Sequence, residues 1–173
     1  MLVEDENSAM ADDTFVGAWC LEEAAAGDAE AIAGLWEAAW RPNLCPQQVR
    51  ESAEKVKREI TGIDPSQGAL IVARFGAETA GFCRVAVDKG DSSLWWIMGV
   101  AVQCDRRCRG IGAALLRAGI AYAREIGAAT VRSTADPWNQ ASIRCHEKAG
   151  FVNEGEFVAE DGERKVRFST RTH

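Results

Sequence analysis

Three arginines and two glycines share one short segment of the chain, and this combination suits the binding of an anion. The segment reads QCDRRCRGIG and spans residues 103–112. Arginine donates charge-assisted hydrogen bonds to phosphate or carboxylate oxygens, and glycine has no Cβ to keep a ligand away from the main chain. The positive charge is local, because the whole chain carries a net charge of −6. The sequence therefore predicts an anion site with these candidates: Arg106, Arg107, Arg109, Gly110 and Gly112.

A predicted strand and a predicted helix flank this segment. The preceding run LWWIMGVAV, Leu94–Val102, has no polar residue, which is typical of a strand buried on both faces. Apolar residues at three- and four-residue spacing predict a helix over residues 113–127. The free N–H groups and the dipole at the start of this helix would favour a bound anion. The apolar stripe consists of Ile111, Leu115, Ala118, Tyr122 and Ile126.

Two common phosphate-binding motifs do not fit the segment. A Walker A loop requires Lys followed by Ser or Thr after its last glycine, but Ala113 and Ala114 stand there. A Rossmann turn requires Gly or Ala at the position of Leu115. What remains is Arg-x-x-Gly-x-Gly, from Arg107 to Gly112. Taken alone, the glycine pair is more simply explained by a basic loop that caps a helix, because short motifs often match by chance.

A second motif, DPWNQASIRCHEKAGF, follows at residues 136–151. Asn139 is a favourable N-cap type, Gly150 suits a left-handed C-cap, and Phe151 would begin the next strand. The first motif, Arg-x-x-Gly-x-Gly, follows Val-Ala-Val at the end of the predicted strand. The two motifs together resemble the signature of the GNAT superfamily of N-acetyltransferases, and their order and spacing are those of the family. The matching positions of the second motif are Asn139, Ile143, Glu147, Lys148, Gly150 and Phe151.

The resemblance implies an α+β fold of three layers. Its central β-sheet would be mixed and mostly antiparallel, with helices on both faces and a splayed pair of central strands. At 173 residues, the chain is long enough for one domain with a real core. We expect a flexible N-terminal arm at residues 1–13 and a single domain at residues 14–173. Residue patterns predict strands at 18–22, 69–75, 79–87, 94–102, 128–133, 155–158 and 165–170, and helices at 28–40, 47–60, 113–127 and from Asn139.

Composition argues against several other classes of protein. No run of roughly 18 apolar residues occurs and the N-terminus is acidic, so we expect neither a membrane span nor a signal peptide, and hence a cytoplasmic protein. The acidic balance argues against nucleic acid as a partner. In the cytoplasm the six cysteines should remain reduced. Cys104 and Cys108 lack the second pair of Cys or His residues that a metal site needs. We therefore expect no metal.

The resemblance implies that acetyl-CoA is the co-substrate and that β-like pairing holds its pantetheine arm. The main chain of Val100, Ala101 and Val102 would pair with this arm like an added strand. Asn139 would contact the same arm. The main-chain N–H of Val102, or of a neighbour, is the candidate donor to the oxyanion that forms during acetyl transfer.

The pyrophosphate of the same ligand would lie against the basic turn. The side chains of Arg107 and Arg109 would add charge-assisted hydrogen bonds, whereas Arg106 fits a solvated face better. The amides that would surround the pyrophosphate in a nest belong to Cys108, Arg109, Gly110, Ile111, Gly112 and Ala113.

Catalytic side chains are harder to identify. The family usually places Tyr, as general acid, seven residues after the helix-opening Asn, and that position is His146 here. An imidazole with a pKa of about 6.5 can donate a proton at neutral pH, but a His packed at the helix–sheet boundary explains the residue equally well. The segment Leu94–Val102 has no titratable side chain. We therefore expect no dedicated base; an ordered water, or an acceptor that arrives partly neutral, would suffice.

Two classes of function remain. The first is an N-acetyltransferase that moves an acetyl group from acetyl-CoA to a primary amine of a small molecule (antibiotic, polyamine or amino-acid-like) or of a protein, by direct attack on the thioester. The second is an acyl-CoA-binding sensor with degraded catalysis. A nucleotide-binding α/β domain of another kind is less favoured. Tryptophans and carboxylates such as Trp36 and Glu156 could receive a cationic amine, although tryptophans are more often core residues. The acceptor and the oligomeric state stay open, with a homodimer as one option.

Overall fold

The computed structural model describes residues 19–40 and 46–172. The predicted arm at residues 1–13 lies outside the described residues. Short 3-10 turns, Ala26–Asp28 and Cys104–Arg106, precede the first and third helices. The strands are β1 (Trp19–Glu23), β2 (Gly68–Phe75), β3 (Glu78–Val87), β4 (Leu94–Val102), β5 (Thr130–Ala135), β6 (Val152–Val158) and β7 (Arg164–Arg171); the helices are α1 (Ala29–Trp40), α2 (Pro46–Gly62), α3 (Ile111–Glu125) and α4 (Gln140–Lys148).

The seven strands form one sheet in the order β1-β2-β3-β4-β5-β7-β6. Every neighbouring pair is antiparallel except β4 and β5, which run parallel. Parallel neighbours need a crossover connection, and α3 provides it. The predicted mixed, mostly antiparallel sheet is therefore confirmed.

Helices cover both faces of this sheet. On one face, α3 and α4 pack on a large apolar cluster that includes Trp95, Leu115 and Phe168. On the other face, α1 and α2 cover a smaller cluster around Ile32 and Phe82. The predicted three-layer α+β fold is confirmed, and α3 and α1 lie on opposite sides of the sheet.

The central strands β4 and β5 separate soon after they begin. Their pairing covers only residues 94–96 of β4 and residues 130–132 of β5. β3 follows the other edge of β4 as far as Val102, with a β-bulge where Arg84 pairs with Gly99 and Val85 with Ile97. Because β5 continues beside β7 instead, a cleft opens between β4 and β5 from Ile97 onwards. The predicted splayed pair is confirmed.

The second half of β4 is less buried than predicted. Trp95, Ile97 and Ala101 are buried, but the side chain of Met98 is 51% exposed. The reason is the splay together with the bulge, which makes Met98 the extra residue of β4 and disrupts the ladder there. The prediction of burial on both faces was therefore wrong for this part of the strand.

The buried face of α3 also differs in part from the predicted stripe. Ile111 and Leu115 are buried as predicted, but Ile126 is 45% exposed because the helix ends at Glu125. The other predicted elements are present, with ends displaced by at most three residues. The remaining buried residues of α3 are Ala113, Leu116, Gly119 and Ala123.

Candidate active site

The turn between β4 and α3 adopts left-handed backbone at two positions. Gln103 ends the pairing with β3 by donating its N–H to the carbonyl oxygen of Ala80 at 2.8 Å. Beyond the 3-10 turn, Cys108 has φ of 62° and Gly110 has φ of 80°. A non-glycine residue in this region costs roughly 1–2 kcal/mol, so Cys108 is held there by its surroundings. Left-handed residues in such turns direct successive N–H groups into one concavity, which is the geometry of an anion nest.

The first turn of α3 presents free main-chain donors beside this nest. The first helical hydrogen bond runs from Ala114 N to Gly110 O at 3.0 Å. By helix geometry, the N–H groups of Ile111, Gly112 and Ala113 then have no acceptor within the helix. Gly110 is exposed, and no atom lies within 4 Å of the position that a Cβ would take. An anion can therefore approach these donors, and the helix dipole favours it.

Gly112 is the point where α3 comes close to α4. A Cβ at this position would lie 2.8 Å from Cys145 Sγ. That distance is shorter than packed atoms tolerate, so a side chain here would displace the Cys145 thiol or push the two helices apart. Gly112 is therefore required by helix packing as well as by access to the main chain.

Two of the three arginines turn towards the main chain around the nest. Arg107 Nε donates to the carbonyl oxygen of Val102 at 3.1 Å, which folds the side chain over the end of β4. Arg109 Nη2 donates to the carbonyl oxygen of Asp105 at 3.3 Å. Both side chains are exposed. They place positive charge at the mouth of the nest, where a diphosphate would need it.

Arg106 is not the solvated residue that the sequence suggested. Its guanidinium pairs with Glu78 at 3.1 Å and lies 4.6 Å above the ring centroid of Phe75. These contacts tie the basic turn to the β2–β3 hairpin. Arg106 therefore positions the turn, and its charge is compensated within the protein.

The edge of β4 that faces the cleft carries main-chain groups that do not pair with β3, and one of them, the carbonyl of Val102, accepts from Arg107. In antiparallel pairing, hydrogen-bonded and non-hydrogen-bonded residue pairs alternate. Gln103 is bonded to Ala80, so the next pair, Val102 with Gly81, is of the non-bonded kind. The N–H and C=O groups of Val102, and by the same alternation those of Val100, therefore point away from β3 into the cleft. A ligand with amide groups can pair with them, so the chain fits the strand-like pantetheine arm that the resemblance implies.

Asn139 is the N-cap of α4, as predicted. Its side-chain oxygen accepts a hydrogen bond from Ser142 N at 3.0 Å. The predicted left-handed residue after the helix is also present, because Gly150 has φ of 96°. Contact between Asn139 and a pantetheine arm stays a prediction.

His146 lies in the interior between α4 and the sheet, with 1% of its surface exposed. Its ring stacks on Phe168 at a centroid distance of 4.5 Å and meets Phe151 edge-on at 5.4 Å. Burial lowers the pKa of the imidazole, and a main-chain hydrogen bond to Ser142 opposes this only in part. Of the two interpretations left open by the sequence, this environment favours the packed histidine over the general acid.

Sequence reasoning did not single out Arg132 and Arg167, which lie on one face of the neighbouring strands β5 and β7. The signal was present in the alternation of β5, TVRSTA, whose buried residues are Val131, Ser133 and Ala135. This alternation sends Arg132 to the opposite face. The neighbouring strand is β7, which is distant in sequence, so the meeting of the two arginines could not be read from a local pattern.

Two further classes of site find no support in the described part of the chain. No helix there is both long and apolar enough to cross a bilayer. The same residues contain no group of three or more His, Cys, Asp or Glu side chains placed to hold a metal ion.

An anion nest at a helix start, a splayed parallel pair and a free strand edge together define a three-layer fold that binds a phosphate-bearing, strand-like ligand. Comparison with known families identifies it. The sequence model described as the acetyltransferase (GNAT) family matches residues 30–151. The chain therefore belongs to this family, whose members use acetyl-CoA as acetyl donor.

Solved structures share the fold at low sequence identity. A GNAT-family protein from Desulfovibrio desulfuricans superimposes with a TM-score of 0.74 at 18% identity, over 90% of this chain and 100% of that chain. The yncA acetyltransferase from Salmonella typhimurium, solved with acetyl-CoA, gives 0.70 at 19% identity, over 90% and 95%. AAC(6')-Ib, solved with ribostamycin and coenzyme A, gives 0.67 at 18%, over 89% and 93%. No curated protein sequence matches the chain significantly.

Proposed function

We propose that the protein transfers the acetyl group of acetyl-CoA to a primary amine by direct attack on the thioester. One observation carries this proposal for the chain itself. The cleft-facing main chain of Val100 and Val102 leads directly into the nest of Cys108 and Gly110. A pantetheine arm paired with the first would place its diphosphate at the second.

The reaction forms one bond and breaks another at the same carbon. The amine nitrogen attacks the thioester carbonyl carbon, the C–N bond forms, the C–S bond breaks, and the nitrogen loses a proton while the thiolate gains one. We assign stabilisation of the developing oxyanion to the main-chain N–H of Val102, which the strand register directs into the cleft. β4 carries no titratable side chain. Water therefore removes the amine proton.

The basic turn holds the donor rather than reacting with it. The amides of Ile111, Gly112 and Ala113 and the charge of Arg107 and Arg109 bind the diphosphate. Asn139 borders the arm from the start of α4. His146 has a structural role in this scheme, and the thiolate takes its proton from water.

A second candidate function is an acyl-CoA-binding sensor without turnover. The observation that favours it is the burial of His146, which occupies the position where the family usually has a Tyr acid. Both functions require the same nest, so binding of acetyl-CoA does not separate them. Turnover does.

The test combines calorimetric titration of acetyl-CoA with thiol release over a panel of amines that includes amino acids, polyamines and aminoglycosides. We expect binding and amine-dependent release of coenzyme A. In Arg107→Gln, loss of a charged hydrogen bond to phosphate should weaken acetyl-CoA binding about ten- to a hundredfold. Binding without release from any amine would establish the sensor, and absence of binding would remove both candidates.

Arg124→Gln is the matched control for Arg107→Gln. Arg124 lies in the last turn of α3, the helix that follows the nest, and is exposed, so its replacement removes the same charge far from the nest. Acetyl-CoA affinity should stay within about twofold of the wild type, because surface charges beyond a Debye length of about 8–10 Å are screened. Equal weakening in both variants would mean that net charge alone attracts the ligand, without a nest.

A further inference from the structure

Arg132 of β5 and Arg167 of β7, here called the arginine pair, lie on the face of the sheet opposite to α3 and α4. Ser133 contacts His146 of α4, so its neighbour Arg132 points the other way. In the strand register, Arg132 is opposite Ser169 and Arg167 is opposite Thr134. The two arginines are therefore diagonal neighbours on one face, about 7–8 Å apart at their Cα atoms. Two side chains of this length can reach a single ligand.

Neither guanidinium of the arginine pair has a hydrogen-bond or ion-pair partner within residues 19–40 and 46–172. The Nε atoms of Arg132 and Arg167 are both buried without an acceptor. Arg167 lies with its guanidinium 4.0 Å above the ring centroid of Phe157, which fixes its plane and leaves the N–H edge free. Buried charged donors are rarely left unpaired in proteins. An anion from outside the chain would satisfy them.

Carboxylates also lie near the arginine pair. Asp88, at the end of β3, accepts a hydrogen bond from Trp96 Nε1 at 2.9 Å. Glu154 of β6 accepts a hydrogen bond from the hydroxyl of Ser169, which is opposite Arg132. The charge of Arg132 acts on Asp88 and Asp91, so the charge of the pair is partly compensated, and an anion would satisfy its unpaired Nε donors rather than a net excess of charge. The carboxylate of Glu156, considered for a cationic acceptor from sequence, pairs with Arg164 on the other face of the sheet, because Glu156 is opposite the buried Val166.

The arginine pair lies beside the mouth of the cleft through which the acceptor must enter. Arg132 is opposite Trp96 in the last pair that joins β5 to β4, and Thr134 and Arg167 follow where the strands have separated. A gap through a sheet has one mouth on each face. The nest lies on the face of the sheet that α3 covers, so the pantetheine arm of acetyl-CoA occupies the mouth of the cleft on that face. The acceptor has to arrive from the opposite face, where the described residues of α1 and α2 pack on the part around β2 to β4.

We propose that the acceptor amine also carries a carboxylate, as an α-amino acid does, and that Arg132 and Arg167 bind this carboxylate. The proposal rests on the proposed acetyl transfer and names its substrate class. Guanidinium groups bind carboxylates through paired, directional hydrogen bonds. Two nearby positive charges also favour the neutral form of the amine, which is the form that attacks. A polycationic amine would instead offer no acceptor to the unpaired N–H donors of the two arginines.

The experiment measures thiol release from acetyl-CoA with matched pairs of acceptors. The pairs are L-methionine with L-methioninamide, L-phenylalanine with L-phenylalaninamide and L-tryptophan with L-tryptophanamide, and the remaining L-amino acids and spermidine complete the panel. The amide of an amino acid has the less basic amine, so basicity alone favours the amides. We expect at least one amino acid to exceed its own amide, and spermidine, in kcat/KM by tenfold or more.

Arg132→Gln and Arg167→Gln then test the residues. Each should raise KM for the preferred amino acid about ten- to a hundredfold, leave kcat/KM for the matching amide within about threefold, and leave the Kd of acetyl-CoA unchanged. Arg171→Gln is the control, because Arg171 lies opposite Thr130, at the end where β4 and β5 are still paired. It should leave all three quantities unchanged.

Failure of this inference is distinguishable from failure of the proposed function. Release with amides or spermidine at least as efficient as with amino acids would overturn the inference and keep the acetyltransferase. Equal losses for amino acid and amide in the arginine variants would also overturn it, since they would indicate a structural role. Bound acetyl-CoA with no release from any amine would overturn the proposed function, and the substrate class with it.

Discussion

The Nε2 atom of His146 lies 2.8 Å from the hydroxyl oxygen of Ser133, with both residues buried. The other ring nitrogen, Nδ1, lies 2.8 Å from the carbonyl oxygen of Ser142. A carbonyl only accepts, so Nδ1 carries the proton, and Nε2 accepts from the serine hydroxyl. This pairing satisfies a neutral imidazole on both sides. It joins α4 to β5 at the back of the cleft.

Replacement of His146 by Phe should therefore affect stability more than chemistry. Ser133 would lose its acceptor in the interior, which costs about 1–3 kcal/mol of unfolding free energy. Urea unfolding measures this loss, and kcat with a working acceptor should stay within about fivefold. The double variant with Ser133→Ala should recover part of the stability, because both polar partners are then gone. A loss of kcat beyond a hundredfold at unchanged stability would make His146 the general acid.

The same histidine predicts a pH dependence of stability. Burial lowers the pKa of His146 in the folded protein below its ordinary value of 6.5. Below about pH 6.5 the unfolded chain binds a proton that the folded protein does not, so the unfolding free energy falls as pH falls. The slope reaches at most about 1.4 kcal/mol per pH unit, and carboxylates add to it only below about pH 5.

Urea unfolding between pH 7.5 and 5 checks this dependence against the His146→Phe variant. The variant should have a flatter profile in that window, because the titrating group is absent while all other groups are kept. Parallel profiles for both proteins would show that His146 binds its proton equally well when folded, and would contradict the assignment of a buried neutral ring.

Local signals in the sequence predicted the parts of the site that are formed by adjacent residues. Glycine at a left-handed position, a capping Asn and a regular apolar spacing each act within a few residues, so Gly110, Asn139 and the start of α3 were predictable. The splayed sheet was implied by the family resemblance rather than by any one segment.

What the sequence could not give depends on contacts between distant segments. The strand order places β7 between β5 and β6, and only this order brings Arg167 beside Arg132. The burial of His146 likewise depends on Phe168 of β7. The exposure of Met98 follows from a bulge, which is a property of two paired strands and not of one.

Two substitutions of Asn139 distinguish its role as N-cap of α4 from any contact with acetyl-CoA. Asn139→Ala removes the acceptor of Ser142 N and should cost about 0.5–2 kcal/mol of unfolding free energy, whereas Asn139→Ser keeps a capping oxygen and should cost little. If Asn139 also touches the pantetheine arm, both variants should weaken acetyl-CoA binding in calorimetry. Unchanged affinity in both would limit the residue to its role at α4.

Gly112→Ala tests the contact that holds the start of α3 against α4. The new Cβ would lie 2.8 Å from Cys145 Sγ, so the thiol must leave its packed position or the helices must move apart, at about 1–3 kcal/mol of unfolding free energy. The same movement displaces the amides of the nest, so acetyl-CoA affinity should fall as well. Adding Cys145→Ala removes the clashing sulfur and should restore much of both quantities.

Gly34→Ala is the control for this substitution. Gly34 lies in α1, no atom stands within 4 Å of its Cβ position, and alanine is the better helix former by about 1 kcal/mol. Gly34→Ala should therefore raise stability while Gly112→Ala lowers it. Because the two changes are chemically identical, opposite signs would trace the loss to the surroundings of Gly112, and the double variant with Cys145→Ala would then assign it to the thiol. A Gly112→Ala protein as stable as the wild type, with full affinity for acetyl-CoA, would mean that α3 and α4 do not meet as closely as 2.8 Å implies.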